Sequence, residues 1–166
     1  MTDITFETDD GYFIYKVGAI IIHENKVLMV KNANFPYYYP VGGRVAFGET
    51  SETAAKREAV EETNVKFEID RLAFVHENFF VDNIFGGAAV PNHAIELYYL
   101  MKTPDDMTNM TEGSIGADGG VESLHWLPID KLSDYPVFPE FYKTELQNLT
   151  NEVKHFVTKD NTSRAK

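Results

Sequence analysis

The sequence predicts a single α/β domain in which helices cover both faces of a central sheet. Three observations carry that expectation. Apolar, β-branched runs such as "AIIIHENKVLMVK" are continuous rather than alternating, as strands buried on both faces are. They interleave with helical stretches, the pattern of layered α/β domains. Finally, 166 residues that are 43% hydrophobic and 13% aromatic suffice for one sizeable core and are too apolar for a disordered chain.

In chain order, residues 1–14 read as an acidic N-terminal extension, 15–157 as the domain and 158–166 as a polar tail. "YKVGAIII" and "KVLMVKN" flank the turn His23-Glu24-Asn25-Lys26 and predict a hairpin. "NFPYYYPVGG" is a proline-broken loop or short strand. A helix then begins after Thr50, whose hydroxyl can cap it, and Glu52 in the first turn suits the dipole. Asn64 is its stop, since Asn tolerates the left-handed conformation next best after Gly. "VKFEIDRLAFVHENFF" reads as a strand. Residues 78–92, "NFFVDNIFGGAAVPN", read as an apolar loop hinged at Gly86-Gly87. Such a loop is expected to border the helix's open side and touch a ligand through Phe79, Phe80 and Phe85. "HAIELYYLMK" is a strand, Thr103 to Gly120 a long polar loop, and "VESLHWLPID" the final strand. A last helix is expected from Pro139, with Tyr142, Leu146, Leu149, Val153 and Phe156 as its apolar stripe.

Composition excludes several functions. A formal charge of −11 argues against nucleic acid as a partner, because phosphate backbones recruit basic surfaces. With no cysteine there is no disulfide, thiolate nucleophile or cysteine zinc site. No apolar run approaches the ~20 residues of a membrane span, and the acidic start is unlike a signal peptide, so a cytoplasmic protein is expected. The histidines His23, His76, His93 and His125 lack metal-ligand spacing and read as structural.

One helical turn stands out. Glu58, Glu61 and Glu62 crowd together with no lysine among them. With Glu58 as reference, Glu62 lies about 40° to one side and Glu61 about 60° to the other. Ser51, Ala54 and Ala55 share that face, so backbone can approach it closely. Carboxylates at i, i+3 and i+4 have the geometry to share a hard divalent cation, which relieves their repulsion. Gly42-Gly43, just before the helix, can present bare backbone beside them.

Reading from Gly43, five residues precede Glu49 and seven more precede Arg57-Glu58-Ala59-Val60-Glu61-Glu62-Thr63-Asn64-Val65. This resembles the Nudix box, with Asn64 in place of its final Gly. The departure is mild, because a left-handed cap accepts Asn. The flanking hairpin and "LHWLPIDKL" agree with the rest of such a domain. The resemblance implies a Nudix-type α/β/α sandwich with a central mixed β-sheet. It implies Glu58, Glu61 and Glu62, with a backbone carbonyl near Gly43, as ligands for Mg²⁺, or Mn²⁺ in its place. Glu49 would pair with Arg57 and hold the loop to the helix. A further acid often completes such sites, and Glu122, Asp118 and Glu112 are the candidates. Arg44 and Lys31 are the candidates for meeting a phosphate.

The reaction implied is metal-dependent attack of water on the diphosphate linkage of a nucleoside diphosphate joined to another group. Nucleoside triphosphates and nucleotide sugars both fit, and Tyr37, Tyr38, Tyr39, Phe79, Phe80 and Phe85 are aromatics able to stack a base. The alternative is a non-catalytic Nudix-like module that binds a nucleotide for regulation. Retention of Glu49, Arg57, Glu58, Glu61 and Glu62 favours the enzyme. Many relatives dimerise, which makes a homodimer a candidate assembly.

Overall fold

The computed structural model describes residues 1–83, 86–111, 113–116 and 118–163, without the side chains of 161–163. Its strands are β1 (Thr5–Thr8), β2 (Gly11–Ile20), β3 (Ile22–His23), β4 (Lys26–Asn32), β5 (Tyr38–Arg44), β6 (Glu68–Asp82), β7 (Val90–Lys102), β8 (Gly113–Ile115), β9 (Val121–Pro128) and β10 (Lys154–Ser163). They join in the order β10-β6-β7-β2-β5-β4-β9-β8, with β1 beside β2 and β3 beside β4. β7 runs parallel to β2 and β10 parallel to β6, among otherwise antiparallel pairs, so the sheet is mixed as expected.

Both faces are covered. Helix α1 (Ser51–Thr63) lies on one, where Ala54, Ala55 and Ala59 pack with Val17, Ala19, Leu28, Val30 and Val41. On the other, a 3-10 turn (Ile129–Asp134) and the short helix α2 (Tyr142–Glu145) bring Leu132 and Tyr142 against Ile20, Val27, Met29 and Phe74. Strand β4 shows why its apolar run is unbroken. Leu28 and Val30 meet α1, while Val27 and Met29 fill the opposite core. Among the described residues no helix is long and apolar enough to cross a membrane.

Local chemistry sets the turns and caps. Glu24 and Asn25 take φ of 47° and 59°, the pair of left-handed residues that a two-residue hairpin turn demands. The Thr50 hydroxyl accepts from Thr53 N at 3.1 Å, capping α1. Asn64 ends it in the left-handed region at φ 60°. Asn64→Gly should therefore shift stability by only some tenths of a kcal/mol, since the eased backbone offsets loss of the exposed bond from Asn64 Nδ2 to Asn109 O. Asn64→Val should cost about 1–2 kcal/mol in a denaturant melt, because a β-branched residue is strained there. Equal melts for the two variants would refute the cap.

Three expectations are corrected. Residues 78–92 are not one loop: β6 runs to Asp82 and β7 starts at Val90, so 78–82 and 90–92 are strand. Asn78, Asp82 and Asn92 disguised the strands, yet all three are buried, and Asn78 and Asn92 donate to Glu96 and to backbone carbonyls. The closing helix is also shorter than its stripe suggested. It covers Tyr142–Glu145 with a 3-10 turn to Asn148, and Lys154 onward forms β10 against the open edge of β6. Thr150-Asn151 interrupt the helix, and the β-branched stretch "VKHFVT" alternates inward and outward as an edge strand does. Lastly, residues 5–14 and 158–163 belong to the sheet rather than to an extension and a tail.

On the face away from α1 a polar group is buried under α2. Glu96, 5% exposed, receives Asn78 Nδ2 at 3.2 Å and the Tyr98 hydroxyl, and lies 3.2 Å from His76 Nδ1. Lys16 Nζ approaches to 3.9 Å. His76 Nε2 meets Thr158 Oγ1 at 2.9 Å, tying β10 into the cluster. This makes His76 structural, as its spacing suggested.

Candidate active site

The site begins at the strand that the two halves of the sheet share. Tyr38–Pro40 of β5 pair with β4, whereas Val41–Arg44 pair with β2. Gly42 and Gly43 thus lie in the middle of the sheet, directly under α1. Gly42 has φ 153° and Gly43 abuts Glu58 so closely that a Cβ there would lie 2.5 Å from its carboxyl. A side chain at 43 would displace the Glu58 carboxyl from this position.

Glu62 reaches back onto the same strand. Its Oε1 accepts from Gly42 N at 3.0 Å, while its Oε2 is buried with no hydrogen-bond partner among the described residues. Burial pushes Glu62 upward, and repulsion from Glu122 and Glu58 adds to this against the Gly42 N–H, leaving it at about 8. Glu58 is also raised, again by burial first, with Arg57 opposing.

Arg57 organises the rest. Its Nε and Nη2 grip Glu49 Oε1 and Oε2 at 2.9 and 3.0 Å, a two-point pair. Glu49 Oε2 also accepts from Ala46 N, and Arg57 Nη2 donates to Arg44 O, so the loop after β5 is clamped to the helix as expected. The Arg57 bond holds Glu49 below the usual carboxylate range. Arg57 Nη1 further meets Glu58 at 2.7 Å and Glu61 at 3.3 Å. The guanidinium therefore supplies part of the neutralisation that the acidic turn itself, which has no lysine, lacks.

Of the further acids, the structure draws Glu122 to this helix. Its charge raises Glu62, and its Oε1 accepts the Tyr39 hydroxyl at 2.7 Å. Asp118 is instead held by Asn34, Asn32 and Gly120 N, and these bonds lower it. Glu112 lies outside the described residues.

The remaining candidates separate. Arg44 pairs with Asp3 at 3.5 Å, and Asp3 in turn raises Glu58, which puts the pair at the rim of the site. Lys31 is not in the site. It follows Met29 on the face opposite α1, donates to Phe35 O at 2.6 Å and lies over the Tyr38 ring. Phe79 stands apart from the glycines and helical acids. It stacks on His93 at 4.2 Å, and His93 is four residues along β7 from Leu97, which is level with Gly43 through Val17. At strand rise that is about 13 Å. Phe80 packs with Ile14 and Ala94, and Phe85 lies outside the described residues. Sequence reasoning missed the Gly42 N–H as a donor, Asn32 and the Tyr39 hydroxyl as a donor, because none of them occupies a position of the spaced motif that begins at Gly43.

Among the described residues no three acids or histidines already converge as a metal-binding set. The donors nevertheless suit a hard cation. They are oxygens, one is a buried carboxylate oxygen without a partner, and bare backbone lies beside them.

A model of the NUDIX domain matches residues 13–148. No curated protein matches the chain in sequence. Among solved structures, a MutT protein from Bacillus halodurans superposes with a TM-score of 0.55 at 17% identity, covering 88% of this chain and 90% of its own. A MutT NUDIX hydrolase from Burkholderia pseudomallei gives 0.51 at 22%, over 71% and 84%. A UDP-X diphosphatase gives 0.52 at 19%, over 86% and 66%. At these identities the structural likeness speaks for the fold. The domain match spans β2 to the end of the helical turns and includes the clamp, the glycines and the three helical acids, and by it the chain belongs to the Nudix family of pyrophosphohydrolases.

Proposed function

We propose that the protein hydrolyses the diphosphate linkage of a nucleoside triphosphate or a nucleotide sugar, with Mg²⁺, or Mn²⁺, held by Glu58, Glu61, Glu62 and a backbone carbonyl near Gly43. The observation that carries this reading is Glu62: a buried carboxylate with one oxygen fixed by Gly42 N and the other unpaired. When bound, the cation neutralises the diphosphate oxygens and acidifies a water. The chain's own residues do the rest. Arg57 and Glu49 lock the loop so that Gly42 and Gly43 stay pressed to the helix. Gly42 N orients Glu62. Arg44, at the rim, is assigned to a substrate phosphate. Glu122, near enough to raise Glu62, is assigned the proton of the attacking water.

The MutT proteins and the UDP-X diphosphatase are similar to this chain at the same low level, so they do not choose between the two substrate classes. A hydrolysis screen with Mg²⁺ and Mn²⁺ does. Nucleoside monophosphate with pyrophosphate identifies a triphosphate substrate, and nucleoside monophosphate with sugar phosphate identifies a nucleotide sugar. Tight nucleotide binding without turnover across the whole screen would refute the catalytic reading in favour of a binding module.

A further inference from the structure

Strands β4, β5 and β9 bring a second polar cluster against the carboxylate helix. Asn32, 1% exposed at the end of β4, donates Nδ2 to Asp118 Oδ1 at 3.0 Å and approaches Glu122 Oε1 at 3.5 Å. Its own Oδ1 accepts from Asn34 N at 2.8 Å, which fixes the amide's orientation. The Tyr39 hydroxyl donates to Glu122 Oε1 at 2.7 Å, and Ser114 Oγ donates to Oε2 at 3.0 Å. Backbone closes over the group, since a Cβ on Gly116 would lie 2.6 Å from Glu122 Oε1. Register explains the meeting. Asn32 stands opposite Glu122, and Val30 stands opposite both Tyr39 and Leu124, so all these side chains share the α1 face.

Three neutral donors fix the direction of a carboxylate without cancelling its charge, which a lysine or arginine partner would do. That charge is kept close to a second buried carboxylate, Glu62, an unfavourable placement for a merely structural acid. Burial, with the bond to Glu122, pushes the Tyr39 phenol far above its ordinary range, so it stays a donor. Its ring makes T-shaped contacts with Phe35 and Tyr37.

We infer that Tyr39, with Asn32 and Ser114, is a positioning residue that fixes Glu122 so that its carboxylate faces the attacking water beside Glu62. The inference rests on the reading of Glu58, Glu61 and Glu62 as the hydrolytic centre. None of the three donors acts on the substrate itself.

Tyr39→Phe keeps the ring and removes the one hydroxyl. It should lower kcat by about 10- to 100-fold with KM changed less than about 2-fold. Glu122→Gln should lose at least as much. Because Tyr39 works through Glu122, the double variant should be no slower than Glu122→Gln alone. Unchanged kcat in Tyr39→Phe overturns the inference, and so does a multiplied loss in the double variant, which would mean that Tyr39 acts independently. If Tyr39→Phe is unfolded at the assay temperature, Ser114→Ala carries the test: a lower kcat at constant KM supports it and an unchanged kcat overturns it. Glu62→Gln, assayed alongside, separates the two levels. An active Glu62→Gln sinks the hydrolytic reading, whereas an inactive one beside a fully active Tyr39→Phe sinks only the positioning role.

Discussion

Glu62→Gln should lower kcat by roughly 10³-fold or more while making the metal-free protein more stable at alkaline pH. The activity loss follows from replacing a charged oxygen ligand with a neutral amide. The stability gain follows from linkage. Burial and neighbouring acids hold Glu62 at about 8, against an ordinary 4.5. Between those values the unfolded chain has released the proton and the folded chain retains it. Stability therefore falls as pH rises through that window, by about 1.4 kcal/mol per pH unit for this one group, and stays reduced above it. Glutamine has no proton to lose and escapes the penalty. In thermal melts of metal-free protein at pH 8.5, the variant should melt higher than wild type. Added Mg²⁺ should raise the wild-type melt and leave the variant's nearly unchanged. A variant that unfolds as it loses activity would mark Glu62 as a structural residue instead.

Glu96→Ala should have the largest effect on folding. It removes a buried carboxylate and strands His76, Asn78, Tyr98 and Lys16, which all converge on it. Breaking a buried ionic group from one side costs about 3–5 kcal/mol. The same cluster sets an acid limit for the wild type. Burial alone would raise Glu96, but Lys16, His76 and Tyr98 outweigh it and hold the group at about 2, against an ordinary 4.5. A depressed folded value adds stability above the unfolded one, and that stability is lost as pH falls from about 4.5 to about 2. The sum is on the order of 3 kcal/mol. Denaturant melts from pH 6 to pH 2 should show a steeper decline in wild type than in a folded Glu96 variant. Parallel curves would show that the carboxylate contributes nothing to folding. Activity per folded molecule should persist in the variant, because the cluster faces away from α1.

The sequence by itself determined what local periodicity and backbone chemistry can write. The unbroken apolar runs of β2 and β4 demanded cover on both faces, and two layers supply it. Thr50, Asn64 and the Glu24-Asn25 turn appear where short-range hydrogen bonding and positive φ require them. The Glu49–Arg57 clamp and the three helical acids were legible because they recur at helical and loop spacings within one short segment. Tertiary structure decided the rest, because those contacts join residues with no shared local pattern. Tyr39 meets Glu122 across 83 positions and Asn32 meets it across 90, through register between neighbouring strands. The length of the β6–β7 hairpin depended on partners for buried Asn78 and Asn92 that lie across the hairpin or on its backbone. The end of the chain could read as an amphipathic helix until β6 left an unpaired edge, and the hydrogen bonds of that edge drew it into β10 instead.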